Sequence, residues 1–353
     1  MQSSKGILAY LEDVWYNDIY VKGSVIAMKK KKNLLVSAAE GAAVVSASVY
    51  AINQYIFWDA TKKELLKPAE ASCYNWKYGN IYYSKTGEGS PVLMLHSMEA
   101  FSSGYEWNKM AGMMAGQHTL YMIDLPGFGR SDRNPMIYTN YIYVQAIDAF
   151  IREVIGEKTD VITSGDASSV ALMATRMKNA MIKSIIMIHP ESFDHMIRKV
   201  SDQDQRVSKL IKMPLAGTLT YNLVINRKMI REKLEKEYYA DKSRVKQQDV
   251  DAFYEAAHIG GSNARFNESS RLGAFTRANI TTALKECTAG LVIIEGSQVL
   301  DRDKDKDIYS HFYPRMKFEE VFDTKALPHM EAPQETAEKC LSLLASDRSS
   351  EDD

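Results

Sequence analysis

At 353 residues, with 45% hydrophobic and 25% charged content, the chain is long enough for one large α/β domain with an insertion, and its core is well supplied. Basic residues number 44 and acidic residues 45, a net charge of −1 that excludes global steering toward nucleic acid. Three cysteines, Cys73, Cys287 and Cys340, are odd in number and lack metal-ligand spacing, so they read as structural thiols and not as a disulfide framework.

Residues 1–32 form a polar and basic segment that ends in Lys29, Lys30, Lys31 and Lys32, and Met28 ahead of those lysines reads as a natural start. The stretch 33–58 is rich in small and apolar residues behind a basic flank, the pattern of a membrane-anchor or signal helix. A helix packed on the globular domain is the alternative. Glu40 would cost about 2 to 3 kcal/mol at the membrane centre, and Asn53 with Gln54 shortens the uncharged part to a minimal span. The lysines at one end and Tyr50, Tyr55, Phe57 and Trp58 at the other favour the membrane, with the globular domain on the extracytoplasmic side.

Residues Asn75 to Gly87 alternate and turn like an opening antiparallel hairpin. Strand candidates follow at 91–96, 119–124, 160–164, 184–189, 290–295 and 317–322. Helical patterns separate most of them; in Tyr141 to Ile155, for example, Val144, Ile147, Phe150, Ile151 and Val154 share one face. That rhythm implies a mostly parallel sheet with crossover helices, occupying 70–190 and 287–346. Between 191 and 286 it gives way to charged helices such as Arg227 to Tyr239 and Gln247 to Ala257. The end of the chain, 347–353, is an acidic tail.

Three motifs carry the chemistry. Pro91 to Ser97 is a buried strand running into the polar turn His96-Ser97. His118 to Asp132 is a second strand followed by the loop Asp124-Leu125-Pro126-Gly127-Phe128-Gly129-Arg130-Ser131. The third is Ser164-Gly165-Asp166-Ala167-Ser168-Ser169 after Val161-Ile162-Thr163, which reads as a nucleophile elbow with Asp166 at its centre and small neighbours around it. An ordinary strand-to-helix connection with Asp166 as a cap is the competing reading.

Together these motifs resemble the α/β-hydrolase superfamily, in its capped branch of haloalkane dehalogenases and epoxide hydrolases. The resemblance runs from about Tyr78 to Leu344, and Glu331-Ala332-Pro333-Gln334-Glu335 matches the segment that opens the last helix. It implies the α/β-hydrolase fold: a mostly parallel sheet, a helical cap at 191–286 between the sixth and seventh strands, and an N-terminal helix. It implies an oxyanion hole built from the amides of Ala167 and Met98, beside His96 and Ser97. A small apolar molecule would sit under the cap, walled by residues such as Met213, Leu215, Leu219, Tyr221, Leu223, Phe253 and Tyr254, although such residues are more often plain core.

The resemblance also shows what is missing. Relatives carry histidine five residues before the glutamate of the last helix and seven before its proline, and that position is Ala326. His329 lies three residues further on. The acid expected three residues after Gly296 is Val299; Asp301 and Asp303 follow on a charged segment, and Glu191 or Asp194 after the preceding strand are substitutes. Departures at all three triad positions point to a membrane-tethered protein with a degenerate triad that binds a ligand or partner. The alternative is an active hydrolase with Asp166 as nucleophile, His329 as base and Glu191, Asp194 or Asp301 behind it. A third reading places the nucleophile at Ser164 or Ser168. No phosphate loop or paired metal-binding histidines occur, so no cofactor or metal is expected.

Overall fold

A computed structural model describes the backbone of residues 4–67, 71–300 and 302–349, with side chains described from 29 to 345 apart from 34–35, 68–70 and 301. The chain divides into two compact units, 1–52 and 53–353. One helix runs Ser4–Thr61, and its stretch Lys29–Thr61 is long and apolar enough to cross a membrane, a property it shares with signal sequences. Val36, Val44 and Val45 are exposed. Residues 53–61 belong to the globular unit. Asn53 is 3% exposed and its Oδ1 accepts a hydrogen bond from Asn222 Nδ2 at 2.9 Å. An amide placed mid-helix in an apolar stretch is explained by this partner. The helix before Asn53 still offers about the 20 residues a bilayer requires.

The globular unit is built on one eight-stranded sheet. Its strands are β1 Ser72–Trp76, β2 Gly79–Thr86, β3 Ser90–Leu95, β4 His118–Ile123, β5 Thr159–Ser164, β6 Ile182–Ile188, β7 Gly290–Gly296 and β8 Lys317–Val321. In space they run β1-β2-β4-β3-β5-β6-β7-β8. β2 pairs antiparallel with β1 and β4, and every other pairing is parallel. The predicted strand 184–189 ends one residue early, so His189 lies beyond the sheet.

Continuous apolar runs make these strands because helices cover both faces of a parallel sheet. Side chains alternate between two cores with the period of two that a strand dictates. Leu93, Val161, Ile185, Met187 and Ile293 face one side with Phe150 and Val170. Their neighbours Val92, Met94, Ile162, Ile186 and Ile294 face the other with Trp107, Cys340 and Leu344. Between β6 and β7 lie the cap helices, from Phe193–Ile197 to Thr281–Glu286, in the same compact unit as the sheet. Their own core gathers Ile230, Leu234, Phe253 and Tyr254 with Phe101, Leu327 and Met330.

Candidate active site

β5 leaves the sheet at Ser164, and the chain enters the helix Ala167–Ala174 after two residues. The left-handed residue of that turn is Gly165, with φ +59, whereas Asp166 is right-handed helical at φ −69 and ψ −14. In a nucleophile elbow the strained residue is the nucleophile. The apex is therefore Gly165, one position before the residue the sequence reading places there. Only glycine adopts this conformation without a Cβ penalty, and a Cβ here would meet Ser97 Cβ at 3.1 Å. The apex carries no side chain at all.

Asp166 instead turns its carboxylate onto the turn after β3, where the Met98 amide donates to Oδ1 at 2.6 Å. The amide expected to hold an oxyanion is thus engaged by a side chain of the same chain. Ala167, expected to supply the second amide, is fully buried in the core, and in the observed register the amide after the apex belongs to Asp166. Burial, with repulsion from Glu191 and Glu99, pushes the Asp166 carboxyl up to about 7, against the pull of the Met98 amide and Arg271.

His96 and Ser97 are structural. Leu125 N–H donates to His96 Nε2 at 2.9 Å, tying the β3 turn to the glycine loop after β4. In that loop Asp124 accepts from the amides of Gly104 at 2.7 Å and Arg130 at 2.8 Å. Ser97 Oγ donates to Glu106 Oε1 at 2.9 Å, and Glu106 Oε2 lies 3.5 Å from His329 Nε2. His329 is 0% exposed and stacks on Trp107 with ring centroids 4.6 Å apart. Its ring is committed to that core contact and does not line the cavity that Asp166 faces. The expectation of His329 as base is corrected on this ground: the turn Pro328–Glu331 aims the imidazole at Glu106. Neither alternative serine serves either, since Ser168 Oγ is hydrogen-bonded to Thr163 Oγ1 at 2.7 Å and Ser164 Oγ is buried without a partner.

The cavity has a volume of about 440 Å³ and lies at the carboxyl ends of the central parallel strands, where open α/β sheets place ligands. Ser164, Gly165, Asp166, Val299 and Ala326 all border it. Charged groups dominate it: seven carboxylates and five lysine or arginine side chains line it among the described residues. None of the proposed apolar walls does. Tyr221, Phe253 and Tyr254 are cap core, and Met213, Leu215 and Leu223 are exposed.

Glu99 is gripped by Lys233 Nζ at 2.6 Å and Arg271 Nη2 at 3.8 Å. Burial opposes its ionisation, yet Arg271 and Lys233 hold the carboxyl down to about 2. Glu191 and Asp194 line the cavity as substitutes for the acid, but each is spent on a local pair, Glu191 with His195 and Asp194 with Lys304. Asp301 lies outside the described residues. At the ends of β6 and β7, His189 Nδ1 sits 3.1 Å from Glu295 Oε2. The sequence reading missed this pair, together with Glu99, Arg271 and Glu106; the signal for the first was a histidine and a glutamate each closing a buried apolar strand.

No family model matches the sequence, and no curated protein matches it. Solved structures do. An esterase from Thermogutta terrifontis is 16% identical with a TM-score of 0.63, covering 79% of this chain and 99% of its own. A bromoperoxidase from Bacillus anthracis is 13% identical with a TM-score of 0.63, covering 78% and 100%. The epoxide hydrolase CorEH is 16% identical with a TM-score of 0.62, covering 78% and 99%. The chain has the α/β-hydrolase fold. At these identities the likeness speaks to the fold, and what the cavity does rests on its own side chains.

Proposed function

We propose that the chain is a membrane-tethered α/β-hydrolase-fold protein whose cavity binds a small polar molecule and performs no nucleophilic ester hydrolysis. The observation that carries this reading is the glycine at the elbow apex, φ +59, with the neighbouring Asp166 carboxylate occupying the Met98 amide. Hydrolysis through an elbow needs a nucleophile, a base and a free oxyanion donor. Gly165 has no side chain, Ala326 at the base position moves no proton, and Val299 at the acid position carries no charge. A polar ligand is favoured because the cavity walls already hold paired charges that an apolar molecule would desolvate without replacing.

Tethering is supported by the apolar stretch from Lys29 and by the basic run Lys29–Lys32, which argues for a globular unit outside the cytoplasmic membrane. The test is to incubate the full-length chain in detergent with a fluorophosphonate and with pooled ester, haloalkane and epoxide substrates, then to measure turnover and intact mass. Neither turnover nor an adduct is expected. An adduct mapped to Asp166, or ester turnover abolished by Asp166→Asn, would defeat the reading.

A further inference from the structure

Among the described residues two histidines border the cavity with a carboxylate on Nδ1, His189 with Glu295 and His195 with Glu191; Arg277 lies 3.2 Å from Nε2 of His195, which leaves His189 as the candidate base. Glu295 is 7% exposed and approaches Nδ1 at 3.1 Å. A carboxylate on Nδ1 fixes the proton there and leaves the Nε2 lone pair for the cavity. The backbone is also unusual. His189 has φ +46 although it precedes Pro190, and a residue before proline prefers extended conformations. Left-handed non-glycine residues concentrate where function over-determines the geometry. Here the N–H of His189 donates to Ile294 O at 3.0 Å, anchoring it to β7 beside Glu295.

The opposite wall places a second group in reach. Ser164 of β5 is in register with Ile188 of β6, and the Gly165 amide donates to Ile188 O at 3.0 Å. His189 and Gly165 therefore stand about one strand spacing, roughly 5 Å, apart at the backbone. Asp166 follows at once. Its Oδ1 accepts from Met98, and the residue borders the cavity. Arg277 also lines the cavity; it donates to Arg198 O at 2.9 Å and sits 3.2 Å from His195 Nε2, and it has no carboxylate partner among the described residues.

We infer that this cavity catalyses proton transfer at the carbon next to a carbonyl in a small oxo acid, with His189 as base, Glu295 as its positioning residue and Asp166 as hydrogen-bond donor to the carbonyl oxygen. The inference rests on the non-hydrolytic reading of the same cavity and goes beyond it. Nε2 of His189 takes the α-proton; the C–H electron pair becomes a C=C bond, and the carbonyl π pair moves to oxygen. The neutral Asp166 carboxyl stabilises that enolate, a role open to it because burial and two neighbouring carboxylates favour its protonated form. Return of a proton from the imidazolium to carbon regenerates the oxo acid, or its tautomer or mirror form. Nothing is oxidised and no covalent bond to the protein forms, so an apex without a nucleophile is no obstacle. Arg277 would take the substrate carboxylate.

The experiment follows loss of the α-proton signal by NMR in heavy water, using acetoacetate, 2-oxobutyrate and 2-oxoglutarate with the full-length chain in detergent. Binding is read in parallel by saturation transfer. At least one probe should bind and exchange about a hundredfold faster than in the detergent blank. His189→Asn, which tolerates a positive φ, should bind the probe and melt like the parent while exchange falls to the blank. Glu295→Gln should lower the rate at saturation and leave KM unchanged, a split that a purely structural role would not produce. Binding without exchange, undiminished exchange in His189→Asn, or failure of all three probes to bind each overturns the inference. The non-hydrolytic reading would survive all three and fall to ester turnover or to an adduct at Asp166.

Discussion

Asp166 offers the most direct physical test of the site, through stability as a function of pH. Its carboxyl is pushed up to about 7 by burial and by Glu191 and Glu99, whereas in the unfolded chain it returns to the ordinary value of 3.8. Between those values the folded protein binds more protons than the unfolded one, so stability falls as pH rises through that window and the full cost is present above it. A shift of about three units corresponds to roughly 4 kcal/mol. Asp166 borders an open cavity, and solvent screening reduces this to about 2 kcal/mol. Asparagine keeps the shape and can still accept from Met98 without the charge. Asp166→Asn should thus equal the parent near pH 4 and exceed it by about 2 kcal/mol at pH 8. For a unit of 301 residues that is about 3 °C in Tm. The assay is thermal melting followed by tryptophan fluorescence, since Trp76 and Trp107 are buried and report the core. A Tm of Asp166→Asn at pH 8 equal to or below that of the parent would show that the carboxylate is adequately solvated or paired, and the account of the site would fail.

Further predictions follow from the same geometry. The combined change Gly165→Ser, Asp166→Ala, Val299→Asp and Ala326→His should create fluorophosphonate labelling at position 165, seen by peptide mass mapping, while the same change with Gly165 retained should not label; labelling elsewhere would show that the apex has been misplaced. Glu106→Ala strands the buried His329 and two groups of Ser97, and should cost about 3 to 5 kcal/mol in denaturant unfolding. Gly129→Ala brings a Cβ to 2.3 Å from Asp124 Cγ at φ +46, and should cost roughly 3 kcal/mol on the same assay. Removal of residues 1–52 should move the protein from the membrane pellet to the supernatant with its melting transition intact, because contacts divide the chain at that point.

How much of this was legible in the sequence depends on the range of the interaction concerned. The strands were, since Val161-Ile162-Thr163 and Ile185-Ile186-Met187-Ile188 are apolar runs whose burial on both faces needs no distant partner to be named. The glycine loop after β4 was legible for a local reason too: Gly129 must leave room for the Asp124 carboxylate five residues earlier. The fate of His329 was not, because its neighbours Glu106 and Trp107 lie more than two hundred residues away. The charge of the cavity was hidden in the same way. Lys233 and Arg271 sit on helices whose charged residues read as solvated faces until the fold turns them inward on Glu99.

The elbow is the instructive case, because the error there was a single residue. Ser164, Ser168 and Ser169 flank Asp166 with small side chains, but Thr163, Ala167 and Ser168 flank Gly165 nearly as well, so spacing alone admits both registers. What separates them is a backbone angle. A turn that requires positive φ selects glycine when one is available, since an aspartate there would pay the Cβ penalty that glycine avoids. By that rule Gly165 takes the apex, and Asp166 becomes the first residue with helical dihedrals, free to point at Met98. Gly165 thus leaves the apex without a nucleophile, and Asp166 beside it fills the oxyanion site. It follows that restoring serine at 165 alone would leave Asp166 on the Met98 amide, and that full activity in any revived variant requires moving that carboxylate as well.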